Sequence, residues 1–174
     1  MRVKEARPRR WKAADGGCAC GAVRYRVLSE PLFVHACHCT RCQRETGGPF
    51  AHHAMVEFSA MSLLTGTPEF VRVPTDSGNT HWVVRCPDCR TAMWNEHGSR
   101  NAVLRYVRVG TLDEPARFSP RAHIYVRSKQ PWVMLDPAVP AFDGAYDRKK
   151  QWPAPSLARL ERARAEKAAA RDRG

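Results

Sequence analysis

Cys18-Ala-Cys20, Cys37-His-Cys39-Thr-Arg-Cys42 and Cys86-Pro-Asp-Cys89 contain every one of the seven cysteines in this 174-residue chain. The spacing is that of metal ligands rather than of scattered core thiols. Zinc closes a structural site with four protein ligands and keeps an open position where it has three, so seven thiols divide into one site of each kind. Cys37, Cys39 and Cys42 span six residues and can hold one ion together. Each outer pair supplies only two ligands and needs the other. A site built from Cys18, Cys20, Cys86 and Cys89 clips together segments some 65 residues apart, and closing so long a loop is where a metal clip stabilises most. Disulfides fit poorly, because the count is odd and no apolar N-terminal stretch resembles a secretory signal. That reasoning places the protein in the cytoplasm. A closed Cys₃His arrangement, completed by His35, His38 or His123, is the competing expectation for the triple.

Outward from the cysteines, the chain reads as strand and turn. Val23–Val27 alternates apolar and charged residues, Leu32–Ala36 is a short apolar run, and Ala54–Phe58 alternates again. Leu63–Thr65 and Phe70–Val73 flank Gly66 and Pro68 and read as a hairpin. Further strands are expected at His81–Arg85, Val103–Val109 and His123–Val126. No ten-residue amphipathic helix separates them, which argues against parallel βαβ units and for a mainly β, mainly antiparallel fold stitched by zinc, with few short helices. With 43% hydrophobic residues the chain suits one domain, and no apolar run reaches the length of a membrane span.

The formal charge of +12 invites a nucleic-acid reading. Its distribution argues otherwise. Residues 1–15 carry six Lys/Arg against two acids and residues 147–174 nine against four, whereas residues 16–146 carry fourteen against eleven. Seven thiolates around two Zn²⁺ ions add three negative charges and bring the metallated core to about neutral. No basic groove is evident, and nucleic acid is not the expected partner. The domain limits expected are a basic flexible arm at 1–15, a zinc domain at 16–146 and a basic Ala/Arg-rich tail at 147–174, helical from about Ser156. Leu157 and Leu160 give that helix only a thin apolar stripe, so it is expected to be solvated or loosely docked.

Gly16-Gly-Cys-Ala-Cys-Gly-Ala-Val-Arg-Tyr25, Cys-His-Cys-Thr-Arg-Cys-Gln from Cys37, Gly47-Gly-Pro-Phe50, Cys86-Pro-Asp-Cys89 and His123-Ile-Tyr-Val-Arg-Ser-Lys-Gln-Pro-Trp132 together resemble the glutathione-dependent formaldehyde-activating enzyme family, the CENP-V/GFA domain. The resemblance implies an Mss4-like β fold with a structural zinc at Cys18, Cys20, Cys86 and Cys89 and a catalytic zinc at Cys37, Cys39 and Cys42. It implies a carbon–sulfur lyase that condenses glutathione with formaldehyde to S-(hydroxymethyl)glutathione. Arg90 stands where the family commonly has Gly, in a turn that then needs a left-handed residue. Three thiolates quench much of the Lewis acidity of Zn²⁺, which favours holding a fourth sulfur over activating water. Glutathione carries two carboxylates, so Arg41 and Arg44 are candidate contacts, with Gly47 and Gly48 offering backbone N–H groups. The alternative is a non-catalytic zinc module, either a glutathione carrier or an interaction domain whose tails touch nucleic acid.

Overall fold

A computed structural model describes residues 11–75, 78, 80–98 and 102–172. The fold is mainly β, with eleven strands in two sheets among the described residues. The smaller sheet runs β1 (Ala14–Gly17), β2 (Arg24–Val27) and β5 (Met61–Thr65), all antiparallel. The larger has the order β11-β10-β3-β4-β9-β8-β7-β6. Its central strands are β3 (Phe33–Cys37), β4 (Ala51–Glu57), β9 (Leu104–Arg108), β8 (Ala92–His97) and β7 (His81–Arg85). β6 (Glu69–Val73) forms one edge. At the other, the two-residue strand β10 (His123–Ile124) pairs in parallel with β3, and β11 (Ala141–Phe142) pairs in parallel with β10. The expected hairpin between residues 63 and 73 does not form: β5 joins β2, while β6 joins β7. Gly66 explains the divergence. It has φ +73°, and a Cβ there would sit 2.2 Å from Ala22 O, so the chain crosses from one sheet to the other pressed against the β1–β2 turn.

Between the sheets, β2 contributes Tyr25 and Val27 to a buried cluster with Val34, Ala54, Val56, Val84, Trp94 and Val107. Alternation supplies it, since Val34, Ala54, Val107 and Trp94 are directly opposite one another in successive strand pairs. Fully burying such an aliphatic side chain is worth about 1.5–3 kcal/mol. Tyr25 meets Trp94 edge-on at 5.8 Å, and its hydroxyl lies 2.6 Å from Thr111 Oγ1. Gly16 lets this happen, because a Cβ there would lie 2.7 Å from the Tyr25 ring.

The ends of the chain depart from expectation. Residues 1–10 of the expected arm lie outside the described residues, but Trp11 packs against Phe118 and Ala14 opens β1. At the other end, α2 (Arg148–Gln151) and α3 (Ala154–Asp172) follow Tyr146. The thin stripe of α3 suffices for docking: Leu160 is 1% exposed and, with Trp152, joins a second core of Leu32, Phe33, Met55 and Leu104. Trp152 stacks on Phe33, and Arg159 grips the Glu57 carboxylate with both Nε (2.8 Å) and Nη2 (2.7 Å). α1 (Thr40–Thr46) was not foreseen; its seven residues are too few for a periodic signal. No helix among the described residues is long and apolar enough to cross a membrane.

Candidate metal centre and its cavity

The four-thiol group stands where two turns meet. Cys18 and Cys20 lie in the turn between β1 and β2, tied by Gly21 N–H to Cys18 O (3.1 Å) and Cys18 N–H to Val23 O (3.0 Å). Cys86 and Cys89 lie between β7 and β8, where Arg90 N–H donates to Cys86 O (3.1 Å). Arg90 takes φ 62°, so the turn keeps its left-handed residue although the side chain makes it costlier than glycine. The Cys18 and Cys20 sulfurs are 3.5 Å apart, those of Cys20 and Cys86 3.8 Å, and all four lie within 4.8 Å of one another. A tetrahedron with Zn–S bonds of about 2.3 Å has edges of about 3.8 Å. The donor set therefore fits zinc, and an ion there would join the small sheet to the large one. Val23 N–H donates to Cys18 Sγ (3.2 Å), and Thr91 Oγ1, which accepts from Ala19 N–H, lies 3.1 Å from Cys89 Sγ. The Thr91 hydroxyl and backbone lower the Cys89 thiol to about 5, poising it as a ligand.

The three-thiol group is built by a strand running into a helix. Cys37 ends β3, Cys39 caps α1 with extended backbone and accepts from Cys42 N–H (3.4 Å), and Cys42 lies in the first turn. Cys37 and Cys39 sulfurs are 3.5 Å apart and the three lie within 4.8 Å. Hydrogen bonds from Cys37 and Cys42 pull the Cys39 thiol down to about 2, bonding to Cys39 holds the Cys37 thiol up at about 12, and bonding to Cys37 and then Cys39 raises Cys42. Three sulfurs this close cannot all ionise without a cation to offset the charge. The histidines that could have closed the site do not join it: His38 is fully buried on the other side, its Nε2 3.0 Å from His123 Nδ1, while His35 Nδ1 meets the Tyr146 hydroxyl at 3.1 Å. Gln43 Nε2 donates to both His38 O (2.7 Å) and Ser128 O (2.8 Å), which fixes α1 to the loop after β10.

Cys37, Cys39 and Cys42 open into a cavity of about 950 Å³, whereas none of the other four cysteines lines it. Its floor is one face of the large sheet. His35 lies two residues before Cys37 and opposite His53; Tyr106 is opposite Asn95, and His81 opposite His97. The same pleat that sends Val34, Ala54 and Val107 to the inter-sheet core sends these polar side chains to the cavity. Burial keeps the imidazoles neutral, with His35 pushed down to about 3 and His53 well below its usual value. α1 roofs the cavity and is anchored by Glu45, which ion-pairs with Arg108, itself within 3.4 Å of Asn95 Oδ1. From the sequence, His35 is weighed only as a fourth ligand, and Tyr106, Asn95, His81 and His97 are not singled out at all. The i, i+2 spacing of His35 and Cys37 was the signal, but it means nothing until strand register is known.

Of the four contacts expected beside the triple, the structure brings only Arg41 to the cavity wall. Arg44 is exposed in the last turn of α1. Gly47 is the left-handed C-cap, φ 66°, and its N–H is committed to Gln43 O (2.8 Å), while Gly48 N–H donates to Thr46 Oγ1 (3.2 Å). Their N–H groups hold the helix end together.

Residues 13–128, two-thirds of the chain, match the family described as glutathione-dependent formaldehyde-activating enzyme. The chain belongs to that family. The matched span contains both cysteine groups and ends before β11, α2 and α3. Among curated relatives, a Halomonas elongata protein named "Putative glutathione-dependent formaldehyde-activating enzyme" is 27% identical over 131 residues, covering 70% of this chain and 80% of the relative. A crystal structure of a Rhodobacter sphaeroides protein, a structural-genomics target, is similar at 24% identity with a TM-score of 0.42, over 57% of this chain and 87% of that one.

Proposed function

We propose that this protein is a zinc-dependent carbon–sulfur lyase that adds a thiol, with glutathione as the leading substrate, to formaldehyde or another small aldehyde. The observation that carries the reading is the contrast between the two thiol groups. Four sulfurs converge where turns of the two sheets meet, away from the cavity; three sulfurs face it, with no fourth protein ligand among the described residues. Cys18, Cys20, Cys86 and Cys89 would hold the structural zinc, and Cys37, Cys39 and Cys42 the catalytic one. When bound at the triple, zinc supplies an exchangeable fourth position whose charge, already reduced by three thiolates, favours a sulfur ligand.

The chain's own residues do the rest. Cys39, held by Cys42 N–H at the start of α1, and Cys37, held in the β3 ladder, keep the sulfurs aimed at the cavity. The neutral imidazoles of His35 and His53 and the Tyr106 ring wall the space and limit water around the reacting carbon. In the condensation the thiol sulfur bonds to the carbonyl carbon, the C=O π pair moves to oxygen, and the proton leaving sulfur ends on that oxygen. Atoms and charge balance without an oxidant. Calorimetry with glutathione and S-methylglutathione tests the reading. Glutathione binding should release a proton and strengthen with pH until the free thiol ionises, and the methylated analogue should bind far more weakly. Equal affinities with no proton release would overturn it.

A further inference from the structure

The wall beside the triple carries the Arg41 guanidinium, the candidate contact that reaches the cavity, and one edge of it meets no protein group among the described residues. Arg41 Nε and Nη2 are both buried and without a hydrogen-bond partner among the described residues, yet the side chain lines the cavity. A guanidinium offers these two N–H groups as a parallel fork matched to the two oxygens of one carboxylate. The molecule uses that same edge twice elsewhere. Arg26 Nε and Nη2 bind the two Asp15 oxygens at 2.5 and 2.7 Å, and Arg159 does the same to Glu57 at 2.8 and 2.7 Å. The partner that helical spacing would give Arg41 is Glu45, one turn on, and Glu45 is committed to Arg108.

A second group points the same way. His81 is 5% exposed, lines the same cavity, and its Nε2 also lacks a partner among the described residues. Its ring packs on His97 with centroids 4.5 Å apart. Arg41, His81 and His97 all line this one cavity, and burial, with smaller contributions from His97, Arg41 and Arg108, holds His81 down to about 4. A buried, unpaired guanidinium edge and an unpaired imidazole nitrogen facing one cavity are costly, and an anion seated there would relieve both.

From these contacts we infer that Arg41 and His81, with His97 at the rim, form a carboxylate-binding subsite that holds the far end of a substrate whose reacting atom lies at Cys37, Cys39 and Cys42. The inference deepens the thiol–aldehyde reading and rests on it for the identity of the reacting atom. The carboxylate could belong to the thiol, as in glutathione, or to an aldehyde acid such as glyoxylate, and the two sources separate by experiment.

The test is calorimetry on zinc-loaded protein, wild type against Arg41→Gln and Arg41→Lys, with glutathione, glutathione diethyl ester, glyoxylate and the uncharged methylglyoxal. Zinc content is measured for each variant. If the thiol supplies the carboxylate, Arg41→Gln weakens glutathione by about 10- to 100-fold, the range of a charged hydrogen-bonded contact. The diester then binds wild type as weakly as glutathione binds the variant, and the substitution costs it nothing further. Arg41→Lys keeps the charge but loses the fork, so it recovers only part of the loss. If the aldehyde supplies it, the variant loses glyoxylate by a similar factor while methylglyoxal and glutathione are unchanged. Unaltered binding of both glutathione and glyoxylate in a variant with full zinc overturns the subsite and leaves the thiol–aldehyde reading standing. Conversely, a zinc-loaded wild type that ignores glutathione but binds glyoxylate through Arg41 keeps the subsite and removes glutathione as the thiol.

Discussion

Replacing Leu160 with alanine tests whether α3 belongs to the fold. The sequence leads one to expect a helix that is mostly solvated; the structure puts Leu160 at 1% exposure against Leu32, Met55, Leu104 and Trp152. A buried Leu→Ala change costs the transfer energy of the lost methyl groups plus a cavity term, about 2–5 kcal/mol together. In a domain of this size ~1 kcal/mol moves the melting temperature by about 2–4 °C, so the variant should melt roughly 5–15 °C lower. Leu157→Ala, on the partly buried side of the same helix, should lose less than half as much. Differential scanning fluorimetry on zinc-loaded protein reads both, and zinc content should not change, because neither residue approaches the cysteines. A Leu160→Ala melt within 2 °C of wild type would mean that the helix is not packed as described, and residues 147–172 would revert to a solvated tail.

Cys86→Ser and Cys37→Ser should each lower the zinc content from two per chain towards one, but only the first should collapse the melting temperature. On the proposed assignment Cys86 would help clip two sheets through turns far apart in sequence, whereas Cys37 would serve a local site; equal melting losses would contradict that division. Acid should destabilise the fold through its buried histidines. His35 at about 3, His81 at about 4 and His53 further depressed all lie below an unfolded value of about 6.5. The unfolded chain therefore binds more protons, so stability is full above pH 6.5 and falls as pH drops through that window, by about 2 kcal/mol per such histidine between pH 7 and 5. His53→Phe should remove about one histidine's share of the loss, and an unchanged difference between melts at pH 7 and pH 5 would refute the buried-neutral assignment.

Much of the fold was legible because it is written in short-range pattern. Alternation marked β2 and a short apolar run marked β3, and β7 and β9 were likewise placed to within one or two residues. β8 was missed. Its Met93, Trp94, Asn95 and Glu96 are all buried, and a strand covered on both faces has no alternation to find. The partition of the seven cysteines was readable from spacing alone and agrees with the two groups the fold assembles. The cavity was not readable. His35, His53, Tyr106, Asn95, His97 and His81 come from five strands, and only the long-range register that sets His35 against His53 and Asn95 against Tyr106 makes them one surface. The docking of α3 rests on Leu160 and on Trp152, which precedes the helix, so no helical periodicity could announce it.

The central claim is that the three-cysteine centre adds a thiol to an aldehyde. The most direct measurement is the initial rate of S-(hydroxymethyl)glutathione formation, followed by NMR with ¹³C-formaldehyde under conditions where the uncatalysed condensation is slow enough to time. The account predicts that zinc-loaded protein accelerates adduct formation in proportion to its concentration, and that Cys39→Ser, still folded and still holding the structural zinc, returns the rate to that of buffer. A wild-type rate indistinguishable from buffer, or a Cys39→Ser variant as fast as wild type, would contradict it.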